Sequence, residues 1–212
     1  MLFRSEAPEP LAGRLRRAYV HPTRIARPVH RGQVDLNDGG WGPVDDHLRT
    51  GAALFPNDEV LQWFATSGRQ GAAPAERSLL FPWAGHIVLR TGWGAEDLYL
   101  FMDAGPIGMS HAKEDKLTVF VDRGGTLLLG SGGRAGYGDL DGLRYTGSIH
   151  AQNTLSVDDL NHARIPTRHE YEIDAPERRR FATGDGFDYA EGFHTHGRSE
   201  EHTSELQSRQ SI

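Results

Sequence analysis

The sequence predicts a mainly β fold, an antiparallel β-sandwich preceded by a short helical segment, on three observations. After Arg77, short apolar runs alternate with polar residues, the spacing that turns one strand face to a core and the other to water. Gly pairs punctuate these runs, and 26 glycines fit a chain with many turns. Before residue 75 the periodicity is helical, so the chain divides into a helical unit at 1–75, a sandwich at 76–197 and a tail at 198–212.

The helical unit holds three candidate helices, Leu11 to Tyr19, His47 to Leu54 and Asp58 to Thr66. Asn57 is the expected N-cap of the third, with Asp58 and Glu59 in its first turn. Arg31 to Val44, which contains LNDGGWGP, is rich in Gly, Asp and Asn and reads as an ordered connection; Ser67 to Arg77 reads as a linker. Strands are expected at His86 to Thr91, Asp97 to Met102, Leu117 to Asp122, Thr126 to Leu129 and Thr154 to Val157. A continuing meander covers Glu170 to Asp174, Arg180 to Thr183 and Phe187 to Phe193. Asp122-Arg123-Gly124-Gly125 between two apolar runs is a hairpin signal.

Composition narrows the partners. The net charge of −6 includes no clustered basic run to follow a phosphate backbone, and mean hydropathy of −0.54 with no long apolar stretch excludes a membrane span. Zero cysteines removes disulfides, thiolate metal sites and cysteine nucleophiles. Of 23 basic residues only Lys113 and Lys116 are lysine, a bias that fits a GC-rich gene. Met1 to Glu6 lacks the basic start and apolar core of a signal peptide. Arg198 to Ser208, RSEEHTSELQS, matches the translation of a short-read sequencing adapter, so 198–212 is expected to be non-biological and unordered.

Chemistry concentrates in Gly105-Pro-Ile-Gly-Met-Ser-His111-Ala-Lys113-Glu-Asp115-Lys-Leu117, a Gly-rich loop between two strands carrying a histidine, acids and both lysines. A polar turn in which Asp115 caps backbone amides is the plainer alternative.

The ordered set SLLFPWAGHIVLRTGWG, LFMDAGPIGMSHAKEDKLTVFV, GGTLLLGSGGRAGYGD and HAQNTLSVDD resembles the sandwich signature of the heparinase II/III-like polysaccharide lyases. The family pattern is a G-x-x-x-x-R-x-G strand, a DAGP-like turn, an H-x-H-x-D loop, an LL-x-D-x-G strand end and an H-N-T strand. The match is strong over Ser78 to Asp159; LNDGGWG and the helices resemble the last turns of the family's α/α toroid, and FDYAEGFH a later sandwich strand.

The resemblance implies a truncated, supersandwich-like domain behind the end of a toroid. It also implies a full-length parent that cleaves uronic-acid polysaccharide by β-elimination. Such chemistry needs an offset carboxylate charge and a positioned base acting together. Most of the family's proton carriers lie on the toroid, outside this chain. Carried over residue by residue, His111 falls on the first His of H-x-H-x-D and Asp115 on its acid. Tyr137 falls near the sandwich tyrosine, with Tyr145 a competing match. His111 and Tyr137 are therefore the catalytic candidates. Arg144, whose fork suits a carboxylate, Lys113 and Gln152 are the substrate-binding candidates. Arg144 reads equally as a surface strand residue.

The departures concern metal. Where the family holds zinc, this sequence has Lys113, Gly130 and Gln152, none of them a zinc ligand. A metal-free branch without cofactor is expected, with Lys113 either taking the space of the cation or standing solvated. A shifted ligand set of His111 and His150, the latter on the strand face of Gln152, is the alternative; His194 and His196 share metal-like spacing beside the adapter junction. The expected function is a fragment of an exported lyase, periplasmic or secreted, inactive alone and acting on acidic polysaccharide or oligosaccharide with the rest of its own toroid and sandwich. The alternative is a non-catalytic carbohydrate-binding or structural module. Cut strand edges predict poor solubility.

Overall fold

The computed structural model describes residues 9–27, 32, 34–36, 44–105, 112–156, 158–162, 180–194 and 206–211. Helices α1 (Glu9–Ile25), α2 (Asp45–Leu54) and α3 (Glu59–Ala65) come first. The cap of α3 lies one residue beyond the expected Asn57: Asp58 accepts from the Leu61 amide at 3.1 Å. Two helical clusters pack here, one of Leu48, Phe64 and Val44 that also takes in Trp93, the other of Leu61, Ala52 and Phe55 against Tyr19.

Strands β1 (Leu79–Phe81), β2 (His86–Arg90), β3 (Leu98–Asp103), β4 (Thr118–Arg123) and β5 (Thr126–Leu129) form an antiparallel meander in chain order. Register puts Leu89 opposite Leu100 and Ile87 opposite Met102, so alternate residues gather into two faces. On one face Ile87, Leu89, Leu100, Met102 and Val119 meet Ala190 and Phe181 of a second sheet. On the other Val88, Tyr99, Phe101 and Phe120 meet Ile25 and Val34. Burial on both faces explains why β2 and β3 read as nearly continuous apolar runs. The β4–β5 hairpin turns on Gly124 and Gly125 at φ of 60° and 78°, the doubly positive conformation its sequence predicts.

After β5 the chain forms α4 (Leu140–Thr146) and a short 3-10 turn (Ile149–Ala151), both unexpected. The Asp139 carboxylate caps α4 by accepting from the Gly142 amide at 2.9 Å. The strand expected at Thr154 to Val157 is absent over its described residues 154–156. Side chains there bond to backbone instead: Thr154 donates to the Lys116 carbonyl and Asn153 to the Gly130 carbonyl. The expectation at Glu170 to Asp174 lies outside the described residues.

The second sheet is β6 (Arg180–Gly184), β7 (Phe187–His194) and β8 (Leu206–Ser211). The fold is therefore the expected mainly β, antiparallel sandwich preceded by helices. The tail was expected to be unordered, yet Leu206–Ser211 pairs along β7. An open strand edge offers unpaired amides and carbonyls that an extended segment of almost any sequence can satisfy.

Candidate functional site

The site builds on the end of β3 and the start of β4. Asp103 closes β3 and accepts from the Gly105 amide at 2.8 Å; after the loop, Leu117 returns its amide to the Asp103 carbonyl at 2.8 Å. Asp115 to Thr118 is a tight turn, with the Thr118 amide 3.0 Å from the Asp115 carbonyl. Leu117, third in that turn, has φ of 59°, a conformation disfavoured for a bulky residue by about 1–2 kcal/mol. Its side chain is buried against Ile87 and Met102, which holds the turn in place.

Four consecutive charged residues, Lys113 to Lys116, lie buried here. The ammonium of Lys113 stands 3.2 Å from the Asp35 carboxylate, with exposures of only 5% and 1% for the two side chains. The same Asp35 oxygen accepts from the Ser131 hydroxyl at 2.9 Å. Lys116 donates to the Gly105 carbonyl. Asp115 is pushed up to about 7, first by burial and then by the neighbouring Asp103 charge, against the pull of Lys113 and Lys116. A carboxyl poised near neutrality can hold or release a proton in the working pH range.

The remaining candidates are spread over the segment after β5. Tyr137 is 61% exposed, with the Arg134 guanidinium 4.7 Å from its ring centre. Arg144 is on α4, not on a strand, and reaches Asp141 at 3.3 Å on an open surface. Gln152 turns its amide onto the Thr146 carbonyl at 2.9 Å. His150 falls in the 3-10 turn, so it does not share a strand face with Gln152; its ring is 3.6 Å from Asp159. His111 and His196, and the side chain of His194, lie outside the described residues. Lys113 and Ser131 thus meet on the buried Asp35 carboxylate, Gln152 bonds to a different partner, and Tyr137 and Arg144 are exposed on the segment after β5. Asp35 and Ser131 were not anticipated: Asp35 lies 78 residues before Lys113, and nothing in its local sequence marks the pairing. A shallow cleft of about 170 Å³, lined by Arg77, Leu98 and Phe187, sits at the opposite end of β3.

A profile described as Heparinase II/III-like, C-terminal matches residues 73–204. The chain belongs to the heparinase II/III-like family. Among curated relatives, a heparin-sulfate lyase of Bacteroides stercoris is 24% identical over 141 residues, and one of Pedobacter heparinus is 36% identical over 67 residues. These alignments cover 61% and 32% of this chain, but only 21% and 10% of those lyases. A heparinase III gene product with methylated lysines superposes with TM-score 0.77 at 21% identity, covering 99% of this chain and 31% of that one. Heparan sulfate lyase HepC from Pedobacter heparinus gives 0.70 at 20% identity, over 89% and 28%.

The zinc that the heparinase II/III-like resemblance implies does not fit the residues present. Lys113 is already paired, and Gln152 spends its amide on a backbone carbonyl. Gly130 offers no ligand, and a Cβ there would sit 2.4 Å from the Leu127 side chain. Among the described residues, no three His, Cys, Asp or Glu side chains are grouped to hold a metal.

Proposed function

We propose that this chain is part of a polysaccharide lyase that cleaves uronic-acid-containing acidic polysaccharide by β-elimination, and that it is inactive alone. The observation that carries this reading is the family match over 73–204, with relatives named heparin-sulfate lyases. In the reaction a base removes the C5 proton, the C4–O bond breaks, a C4=C5 double bond forms, and the leaving oxygen takes up a proton. His111 and the exposed Tyr137 phenol are the groups of this chain assigned to proton movement. Arg144, whose partner Asp141 is solvent-exposed, is free to exchange that weak contact for a substrate carboxylate. Residues 1–75 are the end of a larger helical toroid, which carries the other proton carriers, and the parent acts in the periplasm or outside the cell.

The test is recovery of the full-length gene and measurement of the ultraviolet absorbance of unsaturated uronate on a panel of acidic polysaccharides. Heparan sulfate comes first, given the relatives' names. A steady rise, lost in the isolated chain, supports the proposal; silence from a folded parent refutes it. A second reading, a non-catalytic carbohydrate-binding module, is favoured by the absence of ligands at Lys113, Gly130 and Gln152. It predicts saturable binding of the parent to the same polymers with no absorbance change.

A further inference from the structure

Lys113 and Lys116 are the only lysines among 23 basic residues, and both are buried in the approach to β4, Lys116 within the turn and Lys113 just before it. A lysine ammonium is a compact charge with donors pointing several ways, closer in shape to a bare ion than the planar fork of arginine. In a chain that otherwise uses arginine, the placement is specific. Asp35 stands at the centre of a tight turn in which the Leu36 amide reaches the Val34 carbonyl at 3.0 Å. One of its oxygens receives both Lys113 and Ser131, and the other is sealed from solvent with no hydrogen-bond partner among the described residues. The charge of Asp35 is thus offset by Lys113 and eased by one hydroxyl. The contact joins a segment ahead of the helices α2 and α3 to the exit of β5 and the approach to β4.

We infer that the Lys113 ammonium is a built-in cation: paired with Asp35, it fastens the 34–36 segment to the sheet, doing at this junction what a divalent ion would otherwise do. The junction is then indifferent to metal, whether or not the parent cleaves its polymer. Lys113→Met leaves a buried carboxylate without its counter-charge, and Asp35→Asn leaves a buried ammonium without its partner; removing both relieves each defect.

The experiment is thermal unfolding of the 212-residue chain, wild type, each single variant and the double variant, in chelator and in added zinc. The wild-type midpoint is expected to be the same in both. Each single variant is expected to fall by about 10 °C, and the double variant to recover more than half of that loss. Should a single variant fail to fold, a folded double variant supports the inference and an unfolded one overturns it. A wild-type midpoint lowered by chelator, or losses that simply add in the double variant, also overturns it.

Discussion

Arg90 and Tyr99 face each other across β2 and β3, and both direct their polar ends at the last turn of α1. Arg90 donates to the carbonyls of Arg24 at 2.7 Å and Ala26 at 2.9 Å, and Tyr99 donates to the Ile25 carbonyl at 2.6 Å. The guanidinium lies between the rings of Trp93 and Tyr99, 4.2 Å and 5.0 Å from their centres. Burial lowers its pKa to about 10, which leaves it charged at neutral pH, and burial pushes the Tyr99 phenol up. The arginine of the G-x-x-x-x-R-x-G motif therefore docks the helical segment onto the sheet.

Arg90→Lys keeps the charge but loses the fork and the ring stacking, so a loss of about 3 kcal/mol is expected. Tyr99→Phe strands one carbonyl and should cost about 1–2 kcal/mol. Urea unfolding checks both, with lower midpoints and an unchanged slope.

Asp115 makes stability depend on pH in a direction opposite to a paired surface acid. Its folded pKa, about 7, lies above the ordinary aspartate value of 3.8, so the folded state binds the proton more tightly. Between those values the folded chain holds more protons, and this group's contribution falls as pH rises toward 7. Asp115→Asn, which mimics the protonated form beside Asp103, Lys113 and Lys116, should gain on the wild type as pH goes from 5 to 8 in about that range. Unfolding midpoints of the pair at several pH values decide it; a constant difference contradicts the account.

Much of this fold was legible because its signals are local. The runs that became β2 to β5 alternate or are continuously apolar, and Gly124-Gly125 announces its own turn. β1 was not, since Leu79–Phe81 is three residues long and stops at Pro82. α4 was hidden by glycines at 136, 138, 142 and 147, although Asp139 three residues before Gly142 was a cap signal. The loop of the candidate site was visible as a cluster of charges, but its buried partner Asp35 was not. Pairing across 78 residues is a product of the tertiary fold, which local periodicity does not encode. Family resemblance supplied the placing of Tyr137, side-chain chemistry alone suggested Arg144, and the structure supplied the helix that carries Arg144.

Gly192 of β7 packs closely against the end of β3 and the turn before β4. A Cβ at this position would lie 2.5 Å from the Ala104 Cβ and 3.0 Å from Leu117. Gly192→Val is expected to cost about 2–3 kcal/mol by forcing the sheets apart. Thermal unfolding measures it, and a neutral result would show that β7 shifts freely over β3.

β5 exposes Leu127, Leu128 and Leu129 on an edge strand, and Leu128 is the extra residue where the register slips between Val121 and Asp122. Leu128→Lys should raise the soluble yield of the chain several-fold without lowering its unfolding midpoint. Solubility after expression and light scattering provide the check.

The most direct measurement is the initial rate of absorbance rise on heparan sulfate by the full-length parent, wild type against His111→Ala, Tyr137→Phe and Arg144→Ala, each with chelator. The wild-type rate is expected to be indifferent to chelator, and the proton-moving variants to lose at least about a hundredfold. A folded parent with no rate on any uronate polymer, or a rate abolished by chelator, would contradict this expectation.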